Sequence, residues 1–294
     1  MLDDLVLMDD RKGLLGEGPC WDEKEGVLYW VDIVKKEIHI FSPEKRSSES
    51  IQVREYVGAV VPKESGGFLV ALQSGIYSMD TGQQLTLIAK PEETKVNNRF
   101  NDGKCDPKGR FWVGTMDMDG TNPSGALYCV DNNYEVNKKI EGVTISNGLA
   151  WDVKREVMYF IDTPTRNVYK YTFNLETGDI DNKEIAMHVS QELGFPDGMT
   201  IDEEGMLWIA LWGGGKVIRC DPNSGSILRE ISLPVTNVTS CTFGGSRLEE
   251  LYITTARVGL SAEELENEPY AGGLFRITPG VKGVPSYKFK EGMK

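Results

Sequence analysis

Asp197-Gly-Met-Thr-Ile-Asp202-Glu-Glu-Gly205-Met-Leu-Trp-Ile-Ala210 decides how the whole chain is read. It joins an acid next to glycine, an aspartate-headed polar turn that ends in glycine, and a short apolar run. An apolar run bounded by turn residues reads as a β-strand, and the turn before it suits a tight hairpin. The same order recurs along the chain. Glu17-Gly-Pro-Cys-Trp-Asp22, Asn101-Asp-Gly-Lys-Cys-Asp106 and Asn147-Gly-Leu-Ala-Trp-Asp152 each place an aspartate five positions after a polar residue, with glycine nearby. Polar turns follow here too, at Asp22-Glu-Lys-Glu-Gly26 and Asp106-Pro-Lys-Gly109.

Working outward, strand-like runs come in pairs. Val27-Leu-Tyr-Trp-Val-Asp32 precedes Glu37-Ile-His-Ile-Phe41, and Arg110-Phe-Trp-Val-Gly114 precedes Gly125-Ala-Leu-Tyr-Cys-Val130. Leu28, Phe68, Phe111, Met158, Leu207 and Leu251 mark equivalent points, spaced 40, 43, 47, 49 and 44 residues apart. Short antiparallel strands repeating at this period are the signature of a β-propeller. Six units fill the 294 residues without a linker. The expected fold is therefore all-β, a six-bladed β-propeller in one domain, residues 1–294, with a metal site in the central channel. A two-domain β-sandwich leaves the sixfold period unexplained. One segment reads as a helix, Ser261-Ala-Glu-Glu-Leu-Glu266, whose Ser261/Glu264 spacing fits a capping box.

Repeat register puts Glu17, Asn101, Asn147 and Asp197 at one mouth of the channel. The second unit has only Gly58-Ala-Val-Val-Pro62 there, and the sixth only the hydroxyls of Thr239-Ser-Cys-Thr-Phe243. An asymmetric ring points to a site rather than a need of the fold. The recurring Asp22, Asp106, Asp152 and Asp202 head the turns and read as structural. Glu17, Asn147 and Asp197 offer oxygen donors with two negative charges, which suits one divalent cation, Ca²⁺, Mg²⁺ or Mn²⁺, or Zn²⁺ in an open three-ligand site.

Composition narrows the rest. A net charge of −13 argues against a surface for nucleic acid or anionic membrane, because phosphates would be repelled. No run approaches the roughly 18–20 apolar residues of a membrane helix. The acidic start, Met1 to Gly13, does not read as a signal peptide. The five cysteines are odd in number and form no C-x-x-C pair, so reduced thiols and a cytoplasmic location are expected. His39 and His188 are the only histidines and lie outside the ring, and no G-x-S-x-G elbow supports a serine triad. Gly213-Gly-Gly-Lys216 opens no helix and reads as a hairpin turn rather than a phosphate loop.

Gly16-Glu-Gly-Pro19, Arg99-Phe-Asn-Asp-Gly103, Ser146-Asn-Gly-Leu149, Pro196-Asp-Gly-Met199 and Leu207-Trp-Ile-Ala210 together resemble the senescence marker protein/regucalcin and gluconolactonase family of six-bladed propellers. The similarity runs from about Leu15 to Arg276. It implies a metal-dependent hydrolase of sugar lactones, with a small-molecule substrate such as gluconolactone or xylonolactone. By this resemblance Glu17, Asn147 and Asp197 match the metal ligands, and Asp197 is also the candidate catalytic base. Arg99 and Asn101 match the substrate-binding pair. Asp119, some twenty positions after Arg99, takes the place of a further acidic residue, with Asp117 as the other candidate. Two other functions fit the same site: an esterase or phosphotriesterase, and a non-enzymatic Ca²⁺-binding regulator. A closed propeller needs no partner, so oligomeric state is left open.

Overall fold

A computed structural model describes residues 5–292. Six four-stranded antiparallel sheets surround a central channel, confirming the propeller. Their inner strands are Gly16–Asp22, Val57–Pro62, Asn98–Cys105, Ser146–Asp152, Phe195–Ile201 and Val238–Gly244. Each blade runs outward in sequence order, except that the sixth borrows its outermost strand. There Val6–Asp9, from the start of the chain, pairs with Leu274–Ile277 near its end and closes the ring.

The second strand of each blade is packed on both faces, which explains its continuous apolar run. Leu207, Trp208, Ile209, Ala210 and Leu211 are all fully buried. Between the third and fourth blades, Trp112 packs edge-on against Trp151 and Phe173. The outermost strands are polar and largely exposed, as in Val136–Val143 and Ile180–His188. The helix Ala262–Asn267 carries the expected capping box at Ser261 and Glu264.

The four strand-ending aspartates serve the fold. Asp106 caps its turn by accepting from the Lys108 and Arg110 amides, while its other oxygen accepts from Arg110 Nε at 2.6 Å and Trp112 Nε1 at 2.9 Å. Asp202 repeats the arrangement with Arg219 Nε at 2.8 Å and Trp208 Nε1 at 2.9 Å. Asp22 instead takes Lys288 Nζ at 2.6 Å, from the C-terminal tail. That tail crosses the channel mouth opposite the polar ring. Val284 N donates to Ile201 O, Tyr287 bridges Cys105, and Phe289, fully buried, donates to Pro62 O.

The seam between the first and last blades contains His39. It is 1% exposed, with Nδ1 3.2 Å from Arg11 Nη1 and Nε2 3.5 Å from Glu37 Oε2. Burial, then the charges of Arg11 and Lys35, pushes it from its ordinary 6.5 down to about 3. Its contribution is fully present above pH 6.5 and is lost as pH falls towards 3, because only the unfolded chain takes up the proton. At pH 4 the loss amounts to roughly 3 kcal/mol. Urea titrations should show that His39→Gln removes this part of the acid sensitivity. An unchanged slope of stability against pH between 7 and 4 would refute the assignment.

Candidate metal centre

Every inner strand carries a β-bulge near the same mouth. Opposite one residue of the second strand, the inner strand spends two, as where Asn147 and Leu149 face Ile161 and Phe160 with Gly148 extra. A bulge kinks the strand and re-aims the side chain beside it. The polar residues are thus members of the inner strands and not of the turns before them. Glycine is required because the neighbouring strand comes close. A Cβ on Gly148 would lie 2.8 Å from Asp197 O, and one on Gly198 would lie 2.1 Å from Ser240 Oγ. The same close approach brings the blades' polar residues together.

Glu17, Asn147 and Asp197 are each about 5% exposed or less. Glu17 and Asp197 lie within hydrogen-bonding reach of one another, and Asp197 also meets the Asn147 side chain. Among the described residues no hydrogen bond reaches Asn147 Oδ1 or Asp197 Oδ1, both buried. A buried acceptor with no donor is costly, and two such acceptors on neighbouring inner strands fit a cation. Asn147 is aimed by Thr163, whose Oγ1 accepts Asn147 Nδ2 at 3.0 Å and itself donates to Pro196 O at 2.8 Å. The repeat does not mark Thr163, and sequence reading missed it.

Electrostatics agrees with the geometry. Burial, and next the charge of Asp102, raises Glu17 to about 8, partly offset by the Gly18 amide and Arg99. Burial, then Glu17 and Asp102, holds Asp197 well above the usual carboxylate range. Acids crowded in a low-dielectric channel resist ionisation, and a bound cation reverses that preference. Among the described residues no three His, Cys, Asp or Glu side chains gather as a metal cluster. The donor set here is two carboxylates and an amide, which suits a hard cation that takes oxygen.

Arg99 borders the ring: burial lowers it to about 10, while Glu17, Tyr56 and Asp197 favour its charge. Its Nη1 donates to Asn101 Oδ1 at 2.7 Å, and Asn101 Nδ2 donates to Ser146 O at 2.8 Å. Asn101 therefore engages both ends of its amide with the protein and steadies Arg99. Asp117 is buried and caps its own loop, accepting from Thr121 and Asn122. Asp119 is exposed in that loop, with no hydrogen bond or ion pair to the ring among the described residues.

Comparison with known proteins places this arrangement. Residues 15–257 match the profile of the SMP-30/Gluconolactonase/LRE-like region. The chain is 41% identical over 286 residues to "Putative sugar lactone lactonase YvrE" of Bacillus subtilis, covering 96% of this chain and 98% of that one. It is 39% identical to regucalcin of Danio rerio, covering 95% and 96%. The crystal structure of a calcium-binding protein, regucalcin, from Agrobacterium tumefaciens superposes with a TM-score of 0.92 at 28% identity, covering 97% and 96%. The chain belongs to the SMP-30/gluconolactonase/LRE-like family.

Proposed function

We propose that this protein is a divalent-cation-dependent hydrolase that opens sugar lactones, aldonolactones such as gluconolactone or xylonolactone, to aldonic acids. The observation that carries the reading is the pair of partnerless buried oxygens, Asn147 Oδ1 and Asp197 Oδ1, meeting Glu17 beside Arg99. Glu17, Asn147 and Asp197 would hold one cation, Ca²⁺, Zn²⁺, Mn²⁺ or Mg²⁺. When bound, it supplies Lewis acidity towards the lactone carbonyl and a lower pKa for water.

The side chains supply the rest. An Asp197 oxygen takes a proton from the water that attacks the carbonyl carbon. It returns that proton to the ring oxygen as the C–O bond breaks, giving a hydroxy acid. Arg99, steadied by Asn101, donates hydrogen bonds that fix the sugar hydroxyls, and Asp119 offers an acceptor from its exposed loop. The five buried, unpaired cysteines support a cytoplasmic location. Among the described residues no helix is long and apolar enough to cross a membrane.

One observation favours a broader ester substrate. Leu14, Met118, Phe195 and Val258 are exposed apolar side chains in segments at the ring's polar end. Acid release should be followed on gluconolactone, xylonolactone, an aryl ester and a phosphotriester, with and without chelator. A chelator-sensitive rate, at least 100-fold above the spontaneous one and highest on the aldonolactones, is expected. A higher rate on the aryl ester or phosphotriester moves the assignment to that class. No cation-dependent rate on any of them leaves a binding protein.

A further inference from the structure

Counting back four residues from the strand-ending aspartates reaches Gly18, Asp102, Gly148 and Gly198. These positions, with Gly58 and Thr239, belong to the six bulges. Asp102 is the one charged side chain among them, and it is 4% exposed. Oδ1 accepts from the Gly103 amide at 2.8 Å, and among the described residues no hydrogen bond reaches Oδ2. The Asp102 charge bears on both Glu17 and Asp197. The positive charge that offsets it is that of Lys104, whose Nζ donates to Met199 O at 2.8 Å across the channel.

The bulge itself does not need an acid, since four blades build it with glycine. A third carboxylate in the wall adds repulsion to two acids already pressed together. A positive ion in the ring turns that repulsion into attraction. We propose that Asp102 is a third carboxylate of the cation site, raising its affinity by charge from one residue deeper in the channel wall, outside the three oxygen donors. This rests on the cation-site reading above. Asp102 is a positioning residue for the ion and does not touch the reacting atoms.

Two substitutions separate this role from a structural one. Asp102→Asn keeps an oxygen for the Gly103 amide, and Asp102→Gly restores what four other blades carry. Ca²⁺ binding should be measured by calorimetry on the full chain, beside thermal melting of the cation-free protein. Both variants should bind Ca²⁺ about tenfold or more weakly, a change of about 1.4 kcal/mol. Their cation-free melting temperatures should equal or exceed that of the parent. Affinity within twofold of the parent overturns the proposal. So does a lower cation-free melting temperature in both variants, which would mark Asp102 as structural. A parent chain that binds no Ca²⁺, Mg²⁺, Mn²⁺ or Zn²⁺ overturns the cation-site reading, and this inference with it.

Discussion

Asp197→Ala is expected to lower turnover of aldonolactones about 1,000-fold at saturating cation, the largest effect of any single substitution in the ring. The size follows from two roles in one side chain. Its partnerless Oδ1 is one of two buried acceptors that make the site fit a cation. In the proposed mechanism it is also the carboxylate that exchanges a proton with the attacking water, beside Glu17 and Asn147. Asp197→Asn separates the roles, because an amide keeps an oxygen but cannot accept that proton. The asparagine variant should bind cation within about tenfold of the parent and still lose most of its turnover. Turnover close to the parent in either variant, across several lactones, removes Asp197 from the mechanism.

Asp106→Ala should produce the largest loss of stability, about 3–5 kcal/mol in urea unfolding with little change in slope. Asp106 is fully buried, and Arg110 beside it is 4% exposed. Among the described residues alanine leaves that guanidinium hydrogen-bonded only to the Glu176 and Leu175 carbonyls, and leaves Trp112 Nε1 without an acceptor. A buried charge deprived of its partner costs far more than the pair was worth. Asp202→Ala should cost less, since Arg219 keeps a second carboxylate, Glu204. A loss below about 1 kcal/mol for Asp106→Ala would mean that water reaches Arg110 and the pair is not closed.

These two aspartates show how the sequence reports the fold. Their recurrence in register separated them from the leading residues, and the structure gives each kind its own task. The paired second and third strands were legible because burial demands apolar runs there. Outermost strands such as Ser47–Gln52 were not, because an exposed edge places little demand on side chains. Tail residues 282–292 bear no repeat signal either, yet Lys288 completes Asp22 as Arg110 completes Asp106.

At the site, register alone brought Glu17, Asn147 and Asp197 together. It could not foresee the bulges, which arise from backbone pairing, nor Asp102, which sits where the repeat otherwise has glycine. Asn101 shows the opposite limit. The repeat aligns it with the ring residues, but its amide is held by Arg99 and Ser146.

The borrowed strand of the sixth blade bears on how the protein is made. Glu17 belongs to the first blade and Asp197 to the fifth, and only the sixth, with Val6–Asp9 added, spans the gap between them. On the ribosome, residues 6–9 emerge well before Leu274–Ile277 and must wait for them. A nascent chain can finish its middle blades early, yet Glu17 and Asp197 stay apart until the sixth blade closes. Under the proposed function, the growing polypeptide would thus be unable to hold a cation in this ring before the fold that confines it is complete.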